Sequence, residues 1–396
     1  MRMQFSFDYD IISLVNKVNS KIKVILEKLV SNGFKAYIVG GYVRDYLLGI
    51  NSFDVDITTD AKPNEIVEIF GLGNNNNQYG SIRFKDSLYN YDITTFRREI
   101  RYEDRKPIEY EYIDSIEEDV LRRDFTVNSL YMDIDGNITD MCDGQVDLEN
   151  KVLRCVGNIE TKMTEDPLRI LRAIRFASEY GFEIEEKLLN FIKQNKILLD
   201  TLSYNRIKEE LDIIFKNDNK EVGINLIKEL KLADVLELKI PDNVEITNSY
   251  LGIWAQLEFG EDYPFTKNEL DMIEDIKKIV GYGIIDSIVL YEYGLFASMV
   301  AGEILDIPQS FISSIYKDMP IYNESDIDIT GDEIMEHLGI EPSKKLSNIY
   351  KDLELHILNR TLENTNEELK KYLNNNWRWL YESSSLFNFK AKRFYS

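Results

Sequence analysis

The residues most suited to chemistry in this chain are two aspartates one position apart, Asp54 and Asp56, in the segment FDVDIT. Alternate side chains of a β-strand point to the same face, so a strand here would project both carboxylates together. Two hard oxygen ligands at one point suit Mg²⁺ that carries a nucleoside triphosphate. An isolated pair of this kind also occurs at solvated strand ends, so the interpretation depends on what surrounds it.

The segment GGYVRD precedes these aspartates and contains residues suited to binding phosphate. Gly40 and Gly41 would allow the backbone to approach a phosphate without a Cβ in the way, although a lone glycine pair is usually a simple turn. Arg44 would hold a triphosphate through charge-assisted hydrogen bonds. The combination indicates a nucleotide site beside the carboxylates.

A third carboxylate, Asp92, lies among apolar and β-branched residues in YDITTFR, which predicts a second strand. Three carboxylates on adjacent strands can ligate two metal ions. One ion would lower the pKa of an attacking hydroxyl, and the other would neutralise a leaving pyrophosphate. The three aspartates together therefore predict nucleotidyl transfer.

The elements that position these residues follow from periodicity and turn residues. An amphipathic helix over 11–32 ends at Gly33, and AYIVGG forms the first strand. VRDYLLG is a helix with a glycine stop, and 63–70 is a further helix. After the loop GLGNNNNQYG, the segment SIRFKDSLYNYDITTFR is a hairpin. The charged segment REIRYEDRKPIEYEYID is a solvated loop with a short strand, and the following residues add a helix and two strands that close the domain near Gly157.

Helices dominate after Thr164, and one of them carries several arginines on one face. In EDPLRILRAIRF the opposite face is an apolar stripe, as expected for a helix that packs on a core. The acidic pair at its start, Glu165 and Asp166, also fits simple helix capping. In the next long helix, we interpret Arg206 and Glu210 as structural. The arginine-bearing face consists of Arg169, Arg172 and Arg175, with Phe176 beside them.

Three segments together resemble one protein family: GGYVRDYLLG with DVD, LRRDFTVNSLYMD at 121–133, and EDPLRILRAIRF at 165–176. In type and order they are similar to the class II, bacterial-type tRNA nucleotidyltransferases, which include CCA-adding enzymes and poly(A) polymerases. The resemblance runs from about Gly33 to Phe215. It implies a head with a small sheet of the DNA polymerase β superfamily, followed by a helical neck, body and tail. It also implies that the chain restores the 3′-terminal CCA of tRNA from CTP and ATP without a template.

The resemblance further implies roles for particular residues. Asp54 and Asp56 match the metal ligands, and Asp92 matches the third catalytic carboxylate. A flexible loop at the position of REIRYEDRKPIEYEYID is needed in the family to change from CTP to ATP, so its presence favours complete CCA addition. The positions that match nucleotide contacts are Gly41 and Arg44 for the triphosphate with Gly40 beside them, Arg123, Asp124 and Asn128 for the ribose and phosphates, and Asp166 with Arg169 for the base, followed by Arg172 and Arg175 on the same helix.

An aspartate and an arginine side by side are chemically able to select C and A. Both bases present an exocyclic amine donor beside a ring-nitrogen acceptor, whereas U and G present the reverse order. Ionised Asp166 only accepts hydrogen bonds and Arg169 only donates them. Mispaired groups in a closed pocket cost several kcal/mol, of the order that gives ~10⁴-fold discrimination.

Composition restricts the class of protein. The chain has only two histidines, His337 and His356, which excludes the histidine-dependent phosphohydrolase domain that some relatives carry. Two cysteines, Cys142 and Cys155, favour neither a disulfide framework nor a zinc site. No run approaches ~20 uninterrupted apolar residues, and the start lacks the layout of a signal peptide. We therefore expect a cytoplasmic protein with no membrane contact and no evident obligate protein partner.

The net charge of −23 opposes RNA binding, which depends on Lys and Arg that displace counterions from phosphates. We therefore expect a local basic cleft on an acidic body, and weak, salt-sensitive binding of tRNA. The aromatic end over 374–396 would stack on RNA or pack against the tail or a partner subunit. The candidate basic residues besides the neck arginines are Arg97, Arg98, Arg101, Arg105 and Lys106, and Lys390, Lys392 and Arg393.

The sequence thus predicts an α+β protein with a nucleotidyltransferase head and an all-helical remainder. The predicted divisions are a head with an N-terminal helix over 1–157, a neck over 158–216, a body over 217–320 and a tail over 321–396. The predicted activity is addition of C, C and A to the acceptor end of tRNA with Mg²⁺, CTP and ATP. A poly(A) polymerase or a CC- or A-adding specialist shares these motifs and is the alternative, followed by a catalytically silent RNA-binding protein.

Overall fold

The computed structural model describes residues 18–72, 77–78, 81–103, 106–342 and 344–377. The chain divides into two compact units, and the first comprises the residues up to Leu238 together with Gly260–Pro264. The first unit contains a mixed sheet and the second is mainly helical, which confirms the predicted α+β class. The four domain limits read from the sequence form a finer division and stay a prediction.

A seven-stranded mixed sheet is the centre of the first unit. The strands of the chain are, in order, β1 (Ala36–Val39), β2 (Asp54–Thr59), β3 (Asn77–Gln78), β4 (Ser81–Lys85), β5 (Asn90–Thr95), β6 (Arg97–Glu103), β7 (Lys106–Tyr112), β8 (Leu130–Met132), β9 (Ile138–Asp140), β10 (Val152–Leu153), β11 (Glu183–Ile184), β12 (Leu238–Lys239) and β13 (Glu258–Phe259). The sheet has the order β3-β4-β5-β2-β1-β8-β9. Strands β2 and β5 are parallel and all other neighbours are antiparallel.

In the described part of the first unit, ten α-helices surround this sheet or follow it. They are α1 (Ser20–Ser31), α2 (Gly41–Leu47), α3 (Pro63–Phe70), α4 (Ile116–Asp119), α5 (Gly144–Asn150), α6 (Ile159–Glu165), α7 (Leu168–Tyr180), α8 (Glu186–Asn195), α9 (Tyr204–Lys216) and α10 (Lys220–Glu229). Helix α1 begins at Ser20, after a cap in which Asn19 accepts a hydrogen bond from the Lys21 N–H. Residues 11–17, where the predicted helix would begin, lie outside the described residues.

The alternation of β2 decides which side chains face the core. Val55 and Ile57 are buried in one apolar cluster with residues of α1 and α3, such as Leu26 and Ile66. Burial of each such side chain is worth about 1.5–3 kcal/mol, which fixes the register of the strand. The residues between them must therefore project from the other face of the sheet.

The predicted loop after β5 is instead a two-stranded antiparallel ribbon formed by β6 and β7. Arg97 pairs with Tyr112 and Glu99 with Tyr110, and a bulge follows Glu99. The ribbon follows directly on β5. The Ile113 N–H donates to the Phe96 carbonyl at 3.1 Å, which joins the residue after β7 to the residue before β6. The ribbon lies outside the large sheet, and charged residues recur along its strands. The sequence therefore lacks the apolar alternation that would have predicted two strands here.

The remainder of the first unit matches the predicted pattern. The helix and two strands expected before Gly157 are α5, β8 and β9. Helix α7 ends at Gly181, which has the left-handed φ of +66°, and it packs against both α9 and α10. These contacts include an ion pair between Arg175 of the arginine-bearing face and Glu210 of α9 at 3.3 Å.

The second unit consists of helices with well-formed caps. Helix α12 begins after Thr266, whose hydroxyl and Glu269 form a reciprocal capping box. Helix α13 is kinked at Gly294, which has φ of +78°. No helix of the described residues is long and apolar enough to cross a bilayer. The helices are α11 (Tyr250–Gln256), α12 (Lys267–Tyr282), α13 (Ser287–Ile304), α14 (Gln309–Lys317), α15 (Gly331–Leu338), α16 (Lys344–Leu358) and α17 (Asn366–Asn376).

Close packing at the start of α5 gives a test of the fold. A Cβ at Gly144 would lie 2.3 Å from the Thr126 carbonyl oxygen. Backbone cannot move away cheaply, so we expect Gly144→Ala to lower the free energy of unfolding by about 1–3 kcal/mol. Urea denaturation followed by circular dichroism measures this. Gly281→Ala, where a Cβ meets nothing within 4 Å, is the control, and equal midpoints for the two variants would contradict the packing described here.

Candidate functional site

The structure brings the three predicted carboxylates to two neighbouring strands. Asp54 and Asp56 lie on the face of β2 opposite the buried Val55, and Asp56 is in register with Asp92 on the parallel strand β5. Asn90 is in register with Asp54 and donates from Nδ2 to Asp54 Oδ1 at 2.8 Å. Strand pairing thus accounts for the approach of residues that are far apart in the chain.

Asp92 is engaged by protein donors, which the sequence did not predict. Its Oδ2 accepts from Arg83 Nε at 2.7 Å, and its Oδ1 accepts from the Ser81 hydroxyl. Within the described part of the chain, no three acidic, histidine or cysteine side chains converge closely enough to hold a metal ion. The predicted three-carboxylate metal site stays a prediction.

Asp56 lies beside two other carboxylates, Asp54 and Asp92. Its side chain is open to the cleft, yet protein surrounds most of it, and this desolvation raises its pKa, with further contributions from Asp92 and Asp54. Arg123 and Arg122 act in the opposite direction and do not cancel the effect. A divalent cation at Asp54 and Asp56 would relieve this repulsion, so the oxygen donors present there fit Mg²⁺.

The glycine turn before α2 is in direct contact with Asp56. Gly40 has φ of +76°, a conformation that residues with a Cβ rarely adopt. A Cβ on Gly40 would also lie 2.9 Å from Asp56 Oδ2. Gly41 begins the helix. Glycine is therefore required at position 40 both for its backbone angle and for the approach of the carboxylate.

Arg44 is buried, with 4% of its surface exposed, and its donors are largely used within the protein. Its Nε and Nη2 donate to Asp45 Oδ1 at 2.9 and 2.7 Å, and Nη1 donates to Asn128 Oδ1 at 2.7 Å. Nη2 also donates to the hydroxyl of Tyr180, whose ring lies 4.0 Å below the guanidinium. The predicted contact between Arg44 and a triphosphate stays a prediction.

A cavity of about 480 Å³ joins these elements, and every predicted nucleotide-binding residue lines it. A neighbouring cavity of about 440 Å³ is lined by Asp54 and Asp92. Asp56 belongs to both, so it forms the wall between them. The lining of the larger cavity consists of Gly40, Gly41, Arg44, Asp56, Glu99, Arg122, Arg123, Asp124, Asn128, Asp166, Leu168, Arg169, Arg172, Arg175, Phe176 and Arg206.

The predicted ribose and phosphate contacts are held together by hydrogen bonds across the cavity floor. Asp124 accepts from Arg172 Nε at 2.9 Å and from Asn128 Nδ2 at 3.3 Å. Burial alone would raise the pKa of Asp124, but Arg172 outweighs it and lowers the pKa below its usual range. Arg123 donates from Nε to the Tyr131 hydroxyl at 3.0 Å. Asp124 is therefore an ionised anchor for the arginine of α7.

The predicted base-reading pair lies on the cavity wall, but its two side chains have other partners here. Asp166 Oδ1 lies 3.4 Å from Arg206 Nη1. Arg169 Nη1 donates to the Lys162 carbonyl at 2.8 Å and Nη2 donates to the Arg122 carbonyl at 3.2 Å. The structure thus brings Asp166 and Arg169 to one cavity, while their contact with a base stays a prediction.

Several residues of the cavity were not assigned to the site from the sequence. Glu99 reaches it from the ribbon, and Arg206 reaches it from α9, although Arg206 was interpreted as structural. Asp119 lies behind the cavity with none of its surface exposed. Glu99 and Arg206 reach the cavity through pairings between distant segments, whereas the spacing of Asp119 from Arg122 and Arg123, three and four residues, was a local signal that the sequence analysis did not use.

Arginines line the cavity, but they and the ribbon arginines have acidic partners, so the expected basic cleft stays a prediction. Arg97 pairs with Glu99 at 2.8 Å, and Arg98 pairs with Glu111 at 2.6 Å and with Glu118 at 3.0 Å. The remaining candidates have side chains that lie outside the described residues, namely Arg101, Arg105, Lys106, Lys390, Lys392 and Arg393.

The fold and the site define a class of enzyme. A mixed sheet carries paired carboxylates beside a glycine turn, and an arginine-bearing helix closes a cavity over them. This arrangement suits transfer of a nucleotide from a triphosphate, because it places carboxylates able to bind a metal ion next to arginines able to bind phosphate. The chain is a nucleotidyltransferase.

Comparison with protein families agrees with this class. Residues 36–154 match the family described as "Poly A polymerase head domain". Residues 181–240 match "Probable RNA and SrmB- binding site of polymerase A", and residues 266–373 match domain 2 of tRNA nucleotidyltransferases. The family matches therefore extend from the sheet into the second unit.

Whole-chain relatives identify the family. The CCA-adding enzyme of Ligilactobacillus salivarius (strain UCC118) is 32% identical over 384 residues, which cover 87% of this chain and 93% of that protein. The CCA-adding enzyme of Staphylococcus aureus (strain MRSA252) is 30% identical over 391 residues, which cover 89% of this chain and 96% of that protein. The chain belongs to the CCA-adding enzyme family.

Solved structures show the same fold. The CCA-adding enzyme of Bacillus stearothermophilus, in complex with CTP, has a TM-score of 0.80 at 23% identity, and the match covers 91% of this chain and 98% of that one. The Thermotoga maritima CCA-adding enzyme, complexed with tRNA, has a TM-score of 0.68 at 21% identity, and the match covers 91% of this chain and 97% of that one.

The contact between Gly40 and Asp56 leads to a prediction about the catalytic site. Gly40→Ala combines a strained φ with a Cβ 2.9 Å from Asp56 Oδ2, so we expect the carboxylate to be displaced and the rate of nucleotide transfer to fall at least ~100-fold. Gly71→Ala shares the positive φ, at +64°, but its Cβ meets nothing within 4 Å. Rates and thermal midpoints should be measured for both. If the two variants lose activity equally, the contact has no catalytic importance.

Proposed function

We propose that this chain adds C, C and A in order to the 3′ end of tRNA, from CTP and ATP, with release of pyrophosphate. The observation that carries the proposal is that one cavity contains Asp56 and Gly40 together with Asp166 and Arg169. A nucleotide in this cavity would have its phosphates near the carboxylates and its base near the neck helix. Membership of the CCA-adding enzyme family supports this assignment.

Asp54 and Asp56 would hold Mg²⁺, which supplies charge neutralisation of the phosphates and a lowered pKa for the attacking hydroxyl. The two carboxylates project together because Val55 and Ile57 anchor β2 in the core. Asp92, held by Arg83 at 2.7 Å, assists from the neighbouring strand. The 3′-hydroxyl of tRNA attacks the α-phosphorus, its proton leaves to solvent, and the bond to pyrophosphate breaks.

Arg44 and Arg123 serve the triphosphate in different ways. Arg44 is fixed by Asp45, Asn128 and Tyr180, so it supplies positive potential more than new hydrogen bonds. Arg123 lies close enough to Asp56 to lower its pKa, which places its charge beside the reacting phosphate. Fixed cations of this kind stabilise developing charge without reorganisation during the reaction.

The base is selected by Asp166 and Arg169. For this, Asp166 exchanges its long contact with Arg206, at 3.4 Å, for the amine of C or A. Arg169 keeps the two backbone carbonyls as supports and presents a remaining N–H to the ring nitrogen. Such an exchange loses little, because a contact of that length is weak. U and G would leave both side chains mispaired.

The closest alternative is a poly(A) polymerase of the same family, because its motifs are shared. The full-length relatives named above as CCA-adding enzymes favour CCA addition over this alternative. Family membership disfavours a catalytically silent RNA-binding protein. The cytoplasm is the proposed location, in keeping with a substrate that is matured there.

The test is an incubation series with tRNA that ends at the discriminator base. We expect two residues to be added with CTP alone, none with ATP alone, and three with both, after which addition stops. Sequencing gels resolve each step, and Asp54→Ala is the inactive control. A growing A-tail would identify a poly(A) polymerase instead, and absence of any product at low and high salt would overturn the proposal.

Base selection gives a separate prediction. Asp166→Ala removes the acceptor and also frees Arg206, so we expect the preference for CTP over UTP to fall by about 10–100-fold while transfer continues. Single-turnover rates with each triphosphate measure this ratio. Glu160→Ala removes the same charge from an exposed position on α6 that does not line the cavity, and it should leave the ratio unchanged. An unaltered ratio in Asp166→Ala would refute the role of Asp166.

A further inference from the structure

Asp119 is the most completely enclosed carboxylate behind the cavity, and none of its surface is exposed. It accepts hydrogen bonds from two consecutive arginines. Arg122 Nε donates to Oδ1 at 2.8 Å, and Arg123 Nη2 donates to Oδ2 at 3.1 Å. The Tyr131 hydroxyl donates to Oδ2 at 2.8 Å, and the Arg97 N–H donates to Oδ1 at 3.3 Å. Both oxygens are therefore fully engaged.

The two arginines that Asp119 holds both line the nucleotide cavity. They also line a smaller cavity of about 200 Å³ together with Asp56 and Asp92. Two guanidinium groups side by side repel each other and attract the nearest carboxylate. Without a fixed counter-charge, Asp56 would be one of the carboxylates available to them.

Asp119 is suited to prevent that collapse because it is permanently charged. Burial alone would raise its pKa, but Arg122 and Arg123 outweigh burial and lower the pKa to about 2. The carboxylate is therefore ionised at every pH at which an enzyme of this kind works. Its side chain also cannot move, since it is packed on all sides.

We infer that Asp119 is a positioning residue, which holds the guanidinium groups of Arg122 and Arg123 apart from Asp56 and directed at the phosphates of the incoming nucleotide. This inference rests on the proposed function. It assigns no contact between Asp119 and substrate. The arrangement keeps the arginines that would bind phosphate apart from the carboxylate of β2 that would bind the metal, although they line the same cavities.

The inference makes a specific prediction about phosphate recognition. Asp119→Asn keeps the size of the side chain but loses the charge and turns one acceptor into a donor that faces an arginine. We expect the Kd for CTP to rise at least ~10-fold, since charge-assisted hydrogen bonds are the strong ones, while the Kd for CMP changes less than ~3-fold. Titration calorimetry with each nucleotide in the absence of tRNA measures both constants. General loosening of the fold would weaken CTP and CMP equally.

Two further variants keep the test interpretable. Tyr131→Phe removes a donor to Asp119 and an acceptor for Arg123 without removing the carboxylate, and it should shift the ratio of the two Kd values in the same direction by less. Asp147→Asn alters another buried carboxylate, which pairs with Arg154 at 3.0 Å away from the cavity lining. This control should lower stability and leave the ratio of CTP to CMP affinity unchanged.

The outcomes distinguish this inference from the proposed function. If the wild-type chain neither binds CTP nor extends tRNA, the proposed function is overturned. If the wild type does both but Asp119→Asn and Tyr131→Phe retain its ratio of CTP to CMP affinity, or if Asp147→Asn shifts that ratio as much as they do, only the role of Asp119 is overturned.

Discussion

The concentration of positive charge in one cavity is the constraint on which the site depends, because the chain as a whole carries a net charge of −23. Each arginine of the cavity lies within ion-pair distance of a carboxylate of its own or of one that it shares. The pairs are Arg44 with Asp45, Arg122 and Arg123 with Asp119, Arg169 with Glu165, Arg172 with Asp124, Arg175 with Glu210, and Arg206 with Asp166. Such pairing keeps the guanidinium groups ordered and apart. The carboxylates of β2 are left with excess negative charge, which is the condition for binding a cation.

The carboxylates of the site are positioned by the alternation of side chains along a strand. Val55 and Ile57 fix β2 in the core, and their neighbours must then face the cleft. The parallel pairing of β2 with β5 brings Asp92 beside Asp56. Backbone hydrogen bonds and apolar burial therefore hold like charges close together. The repulsion between these carboxylates would push them apart if they were on a mobile loop. This explains why the carboxylates are on strands.

The sequence was informative where one element decides the outcome and uninformative where distant segments meet. Alternation in DVDIT predicted the shared face of Asp54 and Asp56, and helical spacing predicted the arginine face of α7. The ribbon after β5 was mistaken for a loop, because its charged residues lack the apolar alternation of a core strand. Arg206 could not be placed from the sequence, since its partner Asp166 is brought to it by tertiary packing, whereas Asp119 was overlooked although its arginine partners are only three and four residues away. The engagement of Asp92 by Arg83 depends likewise on the register of β4 and β5.

Two charged contacts join the sheet to the helix that follows it, and they limit how the protein can be divided. Arg44 of α2 is held by Tyr180 of α7, and Asp124 is held by Arg172 of the same helix. Excising the sheet alone, as the limits 36–154 of the matched family would suggest, would remove Tyr180 from Arg44, which keeps Asp45 and Asn128, and would deprive Asp124 of the guanidinium of Arg172. A charge left in this way is strongly destabilising. Chimaeras between relatives should therefore exchange the sheet and the arginine helix as one module.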